Sequence, residues 1–150
     1  MPAAAPLDFS PTNRHFQHRL YTDADPAAIW RIWSDVANWK DWDHGLRDTK
    51  FSGAFEQGAK GVVISLEGIR SKFELLEVLP GESYTLKSSL VGSSLFVKRY
   101  LGTHDGRTTF THEVWFEGLT AGLFARLFGP KFRKLLPEVM ARIDQQAQAR

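Results

Sequence analysis

Between Arg14 and Tyr21 the stretch RHFQHRLY places Phe16, His18 and Leu20 on one side, the period of two that a half-buried strand requires. The period then lengthens. Asp25-Pro26 is a helix start, because Asp25 can accept the free N–H groups of a first turn and Pro26 suits the first helical position. Ile29, Ile32, Trp33 and Val36 follow at helical spacing and predict a short amphipathic helix facing a core. A second short helical turn carries Trp39 and Trp42. From Leu46 to Glu117 apolar runs alternate with tight turns. Gly53, Gly58 and Gly61 bracket a loop before Val62–Leu66, Glu67-Gly68 turns into Lys72–Val78, Pro80-Gly81 turns into Tyr84–Lys87, and Gly92-Ser93 turns into Leu95–Leu101. Asp105-Gly106 is the best hairpin signal of the chain, leading into Thr109–Phe116. Such spacing predicts an antiparallel meander, solvated on one face and covered on the other.

After Gly118 the apolar residues fall at steps of three and four: Leu123, Leu127, Phe128, Phe132, Leu135, Leu136, Val139, Met140 and Ile143. They predict a long amphipathic helix, roughly 40 Å if continuous. Gly129-Pro130 is expected to kink or divide it, and Pro137 to add a second bend. The order is strand, two short helices, about six strands, long helix. One antiparallel sheet with one apolar face needs a cover, and only the last helix is long enough. The fold class is therefore α+β, and a gap between curved sheet and helix is the natural place for a ligand.

Composition narrows this picture. The 150 residues suit a single domain. Residues 1–13, rich in Pro and Ala, read as a flexible lead-in, and 14–150 as one domain. With no cysteine, disulfides, thiolate metal sites and cysteine nucleophiles are excluded. A net charge of +2 does not argue for nucleic acid. No apolar run approaches a membrane span, and the N-terminus lacks the pattern of a secretory signal, which leads us to expect a cytoplasmic protein.

Three stretches carry a resemblance: DPAAIWRIWSDVANWKDWDHGLRDTKFSGAFEQGAKG (Asp25–Gly61), LLEVLPGESYTLKS (Leu75–Ser88) and DGRTTFTHEVWFEGLTAGLFARLFGPKFRKLLPEVM (Asp105–Met140). With that element order, the chain resembles the START-like helix-grip superfamily and, within it, the polyketide cyclase/dehydrase-like (SRPBCC) bacterial proteins. The resemblance implies a curved antiparallel sheet of about seven strands wrapped on a long C-terminal helix. It also implies a cavity for lipids, sterols, polyketides or aromatic metabolites. Such families include cyclases, hydrolases and carriers, so the fold does not choose among them.

Candidate residues follow from which positions face that cavity. His112 lies between Phe110 and Val114 on the face expected to be covered, where it is a satisfied core histidine, a ligand partner or an acid–base group. On the strand Leu95–Leu101, the face with Leu95, Val97, Arg99 and Leu101 is the more apolar and is favoured as inward, which would bury Arg99 against a ligand carboxylate or enolate. In the other register Lys98 and Tyr100 line the cavity. Val63, Phe73, Phe110, Val114, Leu123 and Leu127 are the expected apolar walls. The tryptophans read first as anchors of the helical corner, with Trp42 as the alternative wall or rim. Asp43 and His44 read as an exposed turn, and Tyr84 as an ordinary polar residue of the sheet. The five histidines lack metal-ligand spacing, and no nucleotide, phosphate-loop or nucleophile-elbow motif occurs, so no cofactor is expected. The expected function is non-covalent binding of a hydrophobic or amphipathic small molecule. The alternatives are a polyketide cyclase/dehydrase-type enzyme using His112 or Arg99, and a membrane-surface lipid carrier using the basic, Phe-rich helix from Leu123 to Arg142.

Overall fold

A computed structural model describes residues 3–149. Its elements are β1 (His15–Tyr21), α1 (Pro26–Ser34), a 3-10 helix (Val36–Asp41), β2 (Leu46–Phe51), β3 (Lys60–Ser65), β4 (Arg70–Leu79), β5 (Ser83–Leu90), β6 (Ser93–His104), β7 (Arg107–Gly118) and α2 (Ala121–Gln148). Asp25 caps α1 as its side chain predicts, accepting the Ala27 N–H, and Pro26 opens the helix. Between β6 and β7, Asp105 and Gly106 both take positive φ, 51° and 73°. That is the geometry of a type I′ turn, which matches the twist of the two longest strands.

The seven strands form one antiparallel sheet in the order β1-β7-β6-β5-β4-β3-β2. The first strand sits beside the last, so β1 and β2 occupy opposite edges. The chain between them, α1 and the 3-10 helix, must therefore cross the width of the sheet. Its apolar side, Ile29, Ile32, Trp33, Val36 and Trp39, packs into one core cluster with Phe73, Leu75, Tyr84 and Phe110 from the sheet and Val139, Met140 and Ile143 from α2. A second cluster, under the first half of α2, joins Phe16, Val114 and Phe116 to Ala121 and Ala125. This is the α+β helix-grip arrangement.

Two expectations need correction or refinement. α2 runs unbroken for 28 residues through Pro130 and Pro137, and Gly129-Pro130 does not divide it. Pro130 is exposed, so the carbonyl it leaves unpaired can meet water, while the buried stripe on the other side holds the helix together. Gly129 matters for another reason. A Cβ there would lie 2.4 Å from the Asn13 carbonyl, so the absent side chain lets the N-terminal segment lie against the helix. That segment, read as a flexible lead-in, is tied down from Ala3 onward; its first two residues lie outside the described ones. Ala4 bridges to Leu20, the Ala5 N–H bonds to the Arg19 carbonyl at 3.0 Å, and the Tyr21 N–H bonds to the Ala3 carbonyl at 3.0 Å. It covers the otherwise open edge of β1.

Candidate functional site

The covered face of the sheet carries one polar row among apolar neighbours. Tyr84 of β5 pairs with Arg99 of β6, Arg99 with His112 of β7, and His112 with His18 of β1. Residues directly opposite across strands share a face, so the register alone aligns the four. Arg99 is 8% exposed. Its guanidinium lies 5.0 Å from the Trp42 ring centre, 5.4 Å from Trp39 and 5.6 Å from Tyr84, and it donates to the Tyr84 hydroxyl. Aromatic faces thus replace the water that the cation loses.

His112 is fully buried. Its Nε2 accepts the indole N–H of Trp33 at 3.1 Å. A neutral imidazole with an occupied acceptor nitrogen carries its proton on the other, so Nδ1 is the donor. Burial first, then the charge of Arg99 and then His18, hold its pKa well below the ordinary 6.5. His112 is therefore a fixed neutral donor across the physiological range. Among the described residues its Nδ1 has no partner, and neither has Trp42 Nε1 nor Arg99 Nε, although all three are buried. Trp42 and His112 lie 6.2 Å apart between ring centres. All three orphans are N–H groups, so the cluster offers donors and lacks an acceptor.

Asp43 brings a carboxyl to the margin of this cluster. Burial raises its pKa, against the opposing pull of Arg99, of the Gly45 N–H that it accepts at 3.0 Å, and of His44. Burial likewise raises the Tyr84 phenol, with Arg99 opposing. Neither residue stood out in the sequence. Asp43 lay in a polar stretch, DWDHG, whose fold over the sheet no local signal announces, and Tyr84 was one polar residue in an ordinary strand. Trp30 and Phe55 were also missed; both stack edge-on at Tyr84, with ring centres 6.3 Å and 4.9 Å away.

The expected site residues divide. Trp42, Arg99, His112, Phe110 and Phe73 belong to the row and its surrounding core, and Val63 packs at the margin of the same cluster. Val114 is buried in the second cluster. Tyr100 is on the opposite face: its hydroxyl accepts from Arg19 and Gln17 and donates to Asp8, as one more part of the ties that hold the N-terminal segment. Leu123 and Leu127, expected as cavity walls, are 57% and 60% exposed on the outer side of α2, because the small residues Ala121, Ala125 and Gly129 make the inner stripe there.

Two open clefts flank the core. One, about 200 Å³, is lined by Leu7, Pro11, Phe16, His18, Arg133 and Leu136, between the N-terminal segment and α2. The other, about 650 Å³, is polar, with Tyr21, Asp23, Arg107 and Gln145 at the far end of the sheet. Neither is lined by His112 or Arg99, which stay enclosed. Among the described residues no group of three or more His, Asp or Glu side chains is placed to hold a metal ion.

Solved structures with the same fold include a protein from Rhodobacter sphaeroides (14% identity, 99% of each chain, TM-score 0.70). A hypothetical protein from Helicobacter pylori aligns over 91% of this chain and 89% of its own at 10% identity and a TM-score of 0.72. The di-domain ARO/CYC StfQ of the steffimycin biosynthetic pathway aligns over 90% of this chain but 50% of its own length, at 8% identity and a TM-score of 0.70. A comparison with curated proteins finds no match. The family profile described as polyketide cyclase / dehydrase and lipid transport matches residues 14–148. A match of that extent, on an antiparallel sheet gripping a C-terminal helix, identifies the chain as a member of the polyketide cyclase/dehydrase and lipid-transport family.

Proposed function

We propose that the protein binds a hydrophobic or amphipathic small molecule between the sheet and α2, and that Arg99, His112 and Trp42 hold its polar end. The observation that carries this reading is the set of three buried N–H groups without an acceptor. Leaving such groups unpaired costs about 1–3 kcal/mol each, so their retention argues for a partner that arrives from outside. The matching ligand ends in an acceptor: a carbonyl, a carboxylate or an enolate oxygen. Phe73, Phe110, Val63 and Val114 supply the apolar surroundings. The cleft lined by His18 and Phe16 borders the row, since His18 is the cross-strand neighbour of His112. Entry requires α2 to part from β1 along that line.

A second reading, an enzyme of the cyclase/dehydrase type, is favoured by Asp43. A carboxyl with a raised pKa beside a cation and fixed N–H donors is suited to move a proton while the donors stabilise an oxyanion. His112 would then be a donor to the oxyanion and not the base, because Trp33 occupies its free nitrogen.

Native mass spectrometry of the freshly purified protein, followed by extraction of bound material, tests the binding reading. The expected result is a discrete added mass from a compound with an acceptor head, with affinity about tenfold lower in Trp42→Phe and in Arg99→Met. An unliganded mass that persists after incubation with lipid and polyketide extracts, with no thermal shift, would overturn it. Turnover of such a ligand by the wild type, lost in Asp43→Asn while binding persists, would establish the second.

A further inference from the structure

Seven of the nine exposed large apolar side chains among the described residues gather at one end of the molecule: Leu66, Ile69, Val91, Leu119, Leu123, Leu127 and Phe128. The antiparallel order puts the β3–β4 turn, the β5–β6 turn and the junction of β7 with α2 at that same end. Hydrogen bonds join the β5–β6 turn to that junction. The Leu119 N–H bonds to the Gly92 carbonyl at 3.0 Å and the Thr120 hydroxyl to the Val91 carbonyl at 2.6 Å. Leu119 is 100% and Val91 82% exposed, values at which a large apolar side chain meets only water.

On α2, Leu123 and Leu127 stand two residues from the buried Ala125 and Gly129, about 200° round the helix, so they point directly away from the sheet. Nothing inside the molecule can use them. The exposed Arg126, Lys131 and Lys134 share that outer side, Arg70 opens β4 beside Ile69, and Arg47 lies against Gly68 of the β3–β4 turn; the acidic residues beside them are Glu67, Glu117, Asp43 and Asp48, the last opposite Ile64. An apolar surface spread over two turns and a helix, bordered by an excess of cations, matches a bilayer whose headgroups are anionic. Among the described residues no helix is long and apolar enough to cross a membrane, so the match is to its surface.

We infer that this end of the molecule, the β3–β4 and β5–β6 turns with the outer side of the first four turns of α2, docks on an anionic lipid surface. Leu119, Leu123 and Val91 enter the headgroup layer and Arg126, Lys131 and Lys134 pair with its charge. The inference does not depend on what the interior binds.

The absence of cysteine permits a direct test. Val91→Cys and Leu127→Cys, each carrying an environment-sensitive fluorophore, are compared with Glu82→Cys at the other end of the sheet. Vesicles of phosphatidylcholine alone are set against vesicles with phosphatidylglycerol added. Co-sedimentation with the anionic vesicles at low salt, release at high salt, and a blue shift at positions 91 and 127 but not 82 are expected. The double substitution Leu123→Glu, Leu127→Glu, at exposed positions that leave the fold intact by circular dichroism, should weaken binding by about tenfold or more. Equal binding to both vesicle types, none to either, or an equal response at position 82 would overturn the inference. So would a wild-type dimer in sedimentation equilibrium that Leu123→Glu dissociates, since the surface would then belong to a second copy of this chain.

Discussion

Single residues here owe their chemistry to what the register sets beside them. His112 is kept neutral by burial, Arg99 and His18. Because its pKa in the folded protein lies below the unfolded value of 6.5, the unfolded chain binds more protons between the two values. The stability His112 allows is complete above about pH 6.5 and is lost as pH falls through that window. Urea midpoints measured from neutral pH downward should decline, and His112→Phe should flatten the decline by up to about 1.4 kcal/mol per pH unit. An unchanged slope would place the titrating group elsewhere. Trp33→Phe keeps most of the packing but leaves His112 Nε2 without its donor, and it should cost about 1–3 kcal/mol in equilibrium unfolding.

At the scale of elements, adjacent residues of α2 pull in opposite directions. Pro130 sits on the solvent side and removes one helical hydrogen bond; its replacement in Pro130→Ala should raise stability by about 1–3 kcal/mol. Gly129 faces the N-terminal segment, and Gly129→Ala places a methyl group 2.4 Å from a backbone carbonyl. Helix propensity favours that substitution by about 1 kcal/mol. The clash is with backbone, which must shift, so a net loss of about 1–2 kcal/mol is expected. Thermal unfolding of the two variants should move the midpoint in opposite directions. The sequence signal that predicts a divided helix at Gly129-Pro130 is sound locally; the helix is not divided, because the buried stripe from Ala121 to Ala147 gives both halves a common packed side.

For the molecule as a whole, the N-terminal segment is part of the sheet's closure. Asp8 grips Arg19 through both oxygens, at 2.9 Å and 2.7 Å, and Ala5 is buried. Removing residues up to Asp8 should lower stability by about 1–2 kcal/mol, from lost backbone hydrogen bonds and burial. It should also expose the β1 edge to association, visible as concentration-dependent aggregation in light scattering. Wild-type behaviour in both measurements would make the segment an ornament.

The sequence by itself determined the element order, the antiparallel meander, the α1 cap and the hairpin turn at Asp105-Gly106; it favoured the inward face of Arg99 but left the other register open. Each of these follows from a local cause: a period of two or 3.6, a side chain able to cap, two residues that tolerate positive φ. The tertiary structure alone decided the rest. That Tyr84, Arg99, His112 and His18 form one row depends on the pairing of four strands separated by up to 94 positions in the pairing of His18 with His112. Periodicity within each strand carries no information about its partner's register. Leu123 and Leu127 fit the apolar spacing of a buried helix face as well as their neighbours do. Only the small side chains of Ala121, Ala125 and Gly129, meeting β7 and the N-terminal segment, settled which stripe the sheet would grip.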